Sequence, residues 1–282
     1  MSASVTVGLL HPGRMGAAIA AQIVAGGHTV LWCPDGRSAA THDRAEEARL
    51  RPVPLGQLLA DSEIVLSICP PAMAEQIATD VAEIGYRGSY VDANAISPAR
   101  MHRITTRFTQ AGTVTIDGSI FGAPPGGQVS ARLYLAGAPD ASRRVAELFT
   151  GSLAEPVLLG DHPGQASALK MAFASFQRTS RTAAALAHAL ADDHGITQAL
   201  LTEAEHMPRD ILTNRDYLPS VAARAWRWAP EMHEVADTLG VQNLPTDLAL
   251  ATANILQHWA DTATGQQADP ATILRQLHTH PS

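Results

Sequence analysis

The chain has 282 residues, 46% hydrophobic and 17% charged, with a formal net charge of −7. That length suits two ordinary domains and the composition is that of a folded globular protein, while the acidic balance argues against a nucleic-acid partner. No apolar run reaches the ~18 residues a membrane span needs, and Met1 to Val7 lacks the basic start and long apolar stretch of a secretion signal, so the reading is a cytoplasmic protein without a membrane association.

In chain order, Val5 to Leu10 reads as a short apolar strand, His11 to Gly13 as a turn, and Met15 to Val24 as a helix closed by Gly26-Gly27. Thr29 to Cys33 is a second strand, Pro34-Asp35-Gly36 a turn, and Ser38 the cap of a helix to about Arg49. Strand Ile64 to Cys69 stops at Pro70-Pro71. Helix Ala72 to Ile84, strand Ser89 to Asp92 and helix Pro98 to Gln110 follow. Thr113 to Ile116 and Arg132 to Ala136 are strands with a Gly/Pro-rich loop between them. Pro139 to Phe149 is a helix and Pro156 to Leu159 the last strand. Cys33 and Cys69, both in predicted strands, read as buried thiols of a reducing compartment.

Strands alternate with helices to about residue 160, and their continuous apolar character fits a parallel sheet covered on both faces. From Gly164 to about His194 the pattern allows one helix of ~30 residues, or ~45 Å. Further helices are expected near 197–206, 220–240, 245–263 and 270–278. The expected architecture is therefore α/β, an N-terminal doubly wound parallel sheet over 1–161, followed by an all-helical domain over 162–282.

The first turn reads Gly8-Leu9-Leu10-His11-Pro12-Gly13-Arg14-Met15-Gly16. A dinucleotide-binding Rossmann turn needs close backbone approach to a pyrophosphate and close helix–strand packing, which Gly13 and Gly16 can supply. His11 stands where the fingerprint's first glycine would be, so the motif is incomplete. Leu10, His11, Pro12, Gly13, Arg14, Met15 and Gly16 are the candidate loop, with the helix N-terminus aimed at the anion. Asp35 lies where an acid would bind the 2′-hydroxyl of NAD, but it sits inside a turn tripeptide. Arg37-Ser38 follows, and an arginine with a hydroxyl suits a 2′-phosphate, so NADP is expected over NAD.

These residues resemble the β-hydroxyacid dehydrogenase family, which includes 6-phosphogluconate dehydrogenase and has the imine reductases as relatives. Cys69-Pro70-Pro71 resembles the strand end beside the nicotinamide. Asp92-Ala93-Asn94-Ala95-Ile96-Ser97-Pro98 resembles D-x-S-T-x-x-P, with Asn94 in the serine's place and able to bond the cofactor ribose. Asp117-Gly118-Ser119-Ile120-Phe121-Gly122-Ala123 resembles the substrate loop, which makes Ser119, Phe121 and Gly122 candidate substrate residues. Gly164-Gln165-Ala166-Ser167-Ala168-Leu169-Lys170 resembles G-x-G-x-x-x-K, whose lysine the resemblance makes catalytic. Among bacterial members the H-P-G loop is similar to an uncharacterised reductase subgroup.

Two departures alter the expected substrate. The family's carboxylate-binding serine falls on Phe121, and the asparagine three residues after the lysine falls on Phe173, so small 3-hydroxycarboxylates are disfavoured. Of twenty basic residues only Lys170 is lysine, in a chain whose coding otherwise favours arginine, so the position is read as one where arginine cannot substitute. An ammonium beside a carbonyl can donate a proton as hydride arrives. The Ser167-x-x-Lys170 spacing mimics an acyl-transfer motif, but no second lysine exists to complete it. His278-Thr279-His280 reads as a tail, and no metal site is expected. Trp226 and Met232 are candidates for a pocket wall. The reading is an NADP-dependent carbonyl/alcohol oxidoreductase on a small-molecule substrate, with a C=N reductase and a non-catalytic cofactor sensor as alternatives. Long apolar helix faces imply a homodimer.

Overall fold

The computed structural model describes residues 4–260 and 269–278. The chain divides into two compact units, Met1–Ala174 and Ser175–Ser282.

In the first unit, β1 (Thr6–Leu9), α1 (Arg14–Ala25), β2 (Thr29–Trp32), α2 (Ala39–Glu47), β3 (Arg51–Pro52), α3 (Leu55–Asp61), β4 (Ile64–Ser67), α4 (Ala74–Ile84), β5 (Ser89–Asp92), α5 (Pro98–Ala111), β6 (Val114–Phe121), β7 (Ala131–Gly137), α6 (Pro139–Glu147) and β8 (Ala154–Gly160) lead into α7 (Gln165–Asp193). The sheet has the order β3-β2-β1-β4-β5-β6-β7-β8, so the winding direction switches between β1 and β4. Successive strand residues feed opposite faces. Val30 and Trp32 join a core with Ile19, Ile23 and Phe149, whereas Leu31 and Cys33 join another with Leu58, Val81 and Phe108. Covering both faces is why these strands read as unbroken apolar runs.

Two features depart from the sequence reading. The strand expected to end at Ile116 continues to Phe121, and β7 returns antiparallel against it with Ser119 opposite Tyr134. The close approach of β6 to β5 permits this. A Cβ on Gly118 would lie 3.0 Å from the Ala93 Cβ, so only a bare α-carbon passes there comfortably. The sheet is thus parallel except at β6–β7. The second departure is β3 and α3, for which the sequence reading had no element. The proline-broken span hides their pattern, although Leu58 and Leu59 are buried.

In the second unit the remainder of α7 is followed by α8 (Thr197–Ala204), α9 (Leu218–Val241), α10 (Asp247–Ala260) and α11 (Pro270–Arg275). Ala222, Ala225 and Ala229, on one face of α9, admit Leu256 and Trp259 of α10 and Ile273 of α11. The indole N–H of Trp259 donates to the Ile273 carbonyl at 3.0 Å, and Asp269 caps α11 through the Thr272 N–H. Among the described residues no helix is long and apolar enough to cross a membrane.

Candidate functional site

The glycine loop joins the C-terminal end of β1 to α1, beside the switch between β1 and β4. Gly13 caps α1 with extended backbone, no side chain caps the helix, and its first turn contains no acid. The free N–H groups and positive end of the helix dipole therefore face the loop unneutralised, an arrangement that favours an anion. Gly16 cannot be replaced without movement, because its Cβ would lie 2.5 Å from the His11 carbonyl oxygen. Leu10 and Gly16 are buried, Met15 packs against the core, and Arg14 is exposed. Of these, Leu10, Met15 and Gly16 can offer a ligand only backbone.

Two arginines from the β2–α2 segment hold this loop. Arg37 Nη1 donates to His11 Nδ1 at 2.8 Å and Nη2 to the Leu10 carbonyl at 3.0 Å. Arg44 Nε donates to the Pro12 carbonyl at 3.3 Å and Nη2 to Thr41 Oγ1 at 3.0 Å, and Ser38 Oγ pairs with that same hydroxyl at 3.0 Å. Burial, Arg37 and Arg44 together hold the His11 imidazole below its usual pKa. Asp35 is exposed, in a turn closed by the Arg37 N–H to the Pro34 carbonyl at 3.1 Å. Arg44 and Thr41 are absent from the sequence reading. Ser38, Thr41 and Arg44 follow one another at steps of three residues, which was the available signal, because that spacing aligns them on one face of α2.

At the neighbouring strand ends, Asn94 is buried and heavily bonded. Its Oδ1 accepts from Cys69 N at 2.6 Å, its Nδ2 donates to Ser67 Oγ at 3.1 Å, and its own N–H donates to Asp92 Oδ1 at 3.1 Å. Asn94, expected to bond the cofactor ribose, here ties the ends of β4 and β5 together. Pro70 is exposed, and burial pushes the half-buried Cys69 thiol up to about 11, which keeps it protonated. Asp92 is fully buried, and burial pushes its carboxyl up to about 7, with Asp117 on the adjacent strand adding to the shift.

Lys170 lies in the second turn of α7. Its ammonium donates to the Ile120 carbonyl at 2.5 Å and sits 4.5 Å from the Phe121 ring centroid. Phe121 meets Phe173 edge-on at 5.3 Å and Tyr134 at 5.1 Å, so the ammonium is flanked by an aromatic cluster. Phe121 is buried and Phe173 is 37% exposed. Gly122, with φ +113, turns the chain out of β6 in a conformation glycine tolerates.

The start of α7 is fixed by a residue the sequence reading missed. Asp117 on β6 accepts from Gly164 N and Ser167 N, each at 2.8 Å, and from Ser167 Oγ at 2.7 Å. Its carboxyl is raised by burial, against the lowering effect of these bonds. The signal was available in principle. Pro163-Gly164-Gln165 contains no Ser, Thr, Asp or Asn, so a side-chain cap had to come from elsewhere. Ser119, expected to meet substrate, is 1% exposed and donates to the Ala166 carbonyl at 2.7 Å. It locks α7 to β6.

In the second unit, Trp226 is 67% exposed, and Met232 packs partly buried among the α9 and α10 contacts. Among the described residues no group of three or more His, Cys, Asp or Glu could hold a metal ion. Of the histidine tail, only His278 lies within the described residues.

A reductive aminase from Aspergillus terreus, in complex with NADPH and ethyl levulinate, superposes with a TM-score of 0.74 at 16% identity, covering 98% of this chain and 100% of that one. A variant imine reductase from Myxococcus stipitatus, in complex with NAD+, gives 0.74 at 18% identity with the same coverage. A 3-hydroxyisobutyrate dehydrogenase from Mycobacterium tuberculosis, with L-serine, gives 0.63 at 17% identity, again covering 98% and 100%. This is the fold of the imine reductases and 3-hydroxyacid dehydrogenases. Residues 191–259 match a family described as "Domain of unknown function (DUF1932)". Comparison with curated proteins gave no match. The shared fold puts the β1–α1 loop at the place where doubly wound sheets bind ligands, outside the carboxyl ends of the strands at the switch point.

Proposed function

We propose that the chain binds NADP(H) at the glycine loop and reduces a small carbonyl compound, or oxidises the matching alcohol, with Lys170 as proton donor and acceptor. The residues of the loop fit a dinucleotide. The N-terminus of α1 is uncapped, three arginines lie on or beside the loop, and no acid stands in the helix's first turn. Backbone groups from Leu10 to Gly16 would hold the pyrophosphate. Arg37 and Ser38, supported by Arg44 and Thr41, would hold a 2′-phosphate, and Cys69-Pro70 would border the nicotinamide. When bound, the nicotinamide supplies or accepts the hydride.

The observation that carries the reading is the placement of the chain's one lysine at an aromatic-lined strand end. Lys170 Nζ would give its proton to the carbonyl oxygen in reduction and take it from the hydroxyl in oxidation. A protein that merely sensed the cofactor would need no such group. On this reading Phe121 and Phe173 stand in the seat of a substrate carboxylate and themselves offer it no donor, and burying a charge short of hydrogen bonds is costly. The substrate reading is therefore a neutral, largely apolar carbonyl compound. Reduction of a C=N bond is the second reading, favoured by the two C=N-reducing neighbours and the apolar surroundings of Lys170.

The test is turnover of purified protein with NADPH against aldehydes, ketones, keto acids and cyclic imines. Neutral ketones or aldehydes should react best, and 3-hydroxyisobutyrate should be a poor substrate in the oxidative direction. Efficient turnover of that acid would overturn the reading of the aromatic pair, and reaction of imines alone would select the second reading.

A homodimer belongs to the same proposal. The second unit exposes Leu201, Trp226, Val241 and Ile255. An apolar groove of about 360 Å³, lined by Leu186, Leu190, Met232, Val235 and Leu239 among others, runs between its helices. Surfaces of this kind mark association. Light scattering at micromolar concentration should give twice the chain mass, and a monomer mass would refute the dimer. The unpaired thiols of Cys33 and Cys69 fit a cytoplasmic setting.

A further inference from the structure

His11 stands where the glycine fingerprint would leave its first position without a side chain. Its imidazole is neither loose nor interchangeable end for end. Arg37 Nη1 lies 2.8 Å from Nδ1, and a guanidinium nitrogen can only donate. Nδ1 is therefore the acceptor and carries no hydrogen. Burial and the charges of Arg37 and Arg44 oppose a second proton, so the ring is neutral and its single N–H is at Nε2.

That nitrogen makes no hydrogen bond to the protein among the described residues. The ring edge that carries it lies along Gly13. A Cβ built on Gly13 would be 3.4 Å from Cδ2 and 3.7 Å from Nε2. Gly13 is the residue that caps α1, so the His11 ring edge that carries Nε2 lies against the residue that opens the helix. The imidazole adds a donor where the usual glycine offers only space.

We propose that His11 is a phosphate-binding residue, its Nε2–H donating to the pyrophosphate of the dinucleotide and its tautomer fixed by Arg37. Arg37 then has two roles. It reads the 2′-phosphate directly, and it orients the donor at the pyrophosphate, so the two anionic groups of one ligand are read by a connected pair. This rests on the dinucleotide reading above and goes beyond it in assigning a proton position and a coupling.

Calorimetric titration of the purified protein with NADH and NADPH tests it without reference to any substrate. NADH lacks the 2′-phosphate, so its affinity reads the pyrophosphate contacts without any contribution from that group. His11→Ala should weaken both nucleotides about tenfold, the loss of one hydrogen bond to a charged group. His11→Gln places an amide N–H near the position of Nε2 and should stay within about threefold of wild type. Arg37→Ala should weaken NADH about threefold when His11 is present, and should do nothing further to NADH in the His11→Ala background, because the coupling then has no carrier. Thermal midpoints near wild type would establish that the variants are folded, and if His11→Ala unfolds, the Gln variant and Arg37→Ala still carry the test through NADH affinity. Unchanged affinities in His11→Ala would overturn the proposal, as would an Arg37→Ala effect on NADH that is equal in both backgrounds. A folded wild type that binds neither nucleotide would overturn the dinucleotide reading and this proposal together. Binding of both with no His11 dependence would overturn this proposal alone.

Discussion

The glycine loop and the Lys170 end of β6 belong to the same unit and are held by opposite means. At the loop, cationic side chains bond backbone carbonyls: Arg37 to Leu10 and Arg44 to Pro12. Each guanidinium has further N–H groups to offer, so the clamps that shape the loop can also bind a ligand. At Lys170 the clamps are acceptors and hydroxyls. Asp117 holds the first turn of α7, Ser119 holds Ala166, and both are buried by doing so. What remains for chemistry there is one ammonium among aromatic rings. The first region is built to bind charge redundantly, and the second to place a single proton.

If that contrast holds, loss of the single group should be the largest effect. Lys170→Ala should lower kcat by ~10²–10⁴ with little change in nucleotide affinity. Lys170→Arg should be nearly as damaging, because a guanidinium gives up its proton poorly and its planar fork does not fit an ammonium's seat. Steady-state kinetics with nucleotide titrations check both. An arginine variant with near wild-type kcat would remove the acid–base role and the contrast with it.

The next effect in size concerns what holds the lysine. Asp117→Ala would leave the Gly164 and Ser167 donors without their acceptor in a buried place, a loss of about 3 kcal/mol in unfolding free energy. Asp117→Asn, which keeps one acceptor oxygen, should lose less. In the surviving folded protein kcat should fall while nucleotide affinity holds. Denaturant titration measures the first claim and single-turnover kinetics the second. Equal losses in kcat and nucleotide affinity would show that the two regions are not separately held.

How far the sequence could show this division follows from the range of the interactions involved. Strand, turn and helix around Gly13 and Gly16 are local, and so are the unbroken apolar runs that give the doubly wound sheet. Lys170 was visible because it is alone and because its neighbours in sequence resemble a known lysine motif. The clamps were not visible. Asp117 bonds residues 47 and 50 positions away, and Arg37 reaches 26 back to His11. Nothing in the local pattern around Asp117 separates a helix-capping acid from a loop residue, and placing it in a loop followed from ending β6 at Ile116. The tie made by Asn94 was hidden for the same reason. Its type suits a ribose, but its partners Ser67 and Cys69 arrive from another strand.

Between the two regions lies Asp92, buried, its carboxyl raised to about 7. Its unfolded value is ~4, so between ~4 and ~7 the folded chain keeps a proton that the unfolded chain releases. Fewer protons bound in the unfolded state means that stability falls as pH rises through this window. Asp117, raised by burial as well, adds in the same direction. Asp92→Asn should flatten the fall by on the order of 2 kcal/mol, read from denaturant midpoints at several pH values. A wild type whose stability instead rises across this window would show that the Asp92 carboxylate is ionised and partnered.

The smallest effect is expected at the loop, where the donors are redundant. NADPH should bind at least tenfold more tightly than NADH, a difference of ~1.4 kcal/mol. Arg37→Ala should remove most of that preference. Two of the guanidinium's N–H groups are engaged by His11 and Leu10, which holds the side chain in place before any ligand arrives and leaves other N–H groups for the 2′-phosphate. Arg37→Lys keeps the charge but cannot span both loop bonds and a phosphate, so it should recover only part of the preference. Arg44→Ala should weaken it less, because Arg44 bonds Thr41 and Pro12 at the rear of the same cluster. Competitive titration of the two nucleotides ranks the three variants. Equal wild-type affinities would show that the arginines only shape the loop. A preference lost wholly with Arg44 and untouched at Arg37 would exchange their roles.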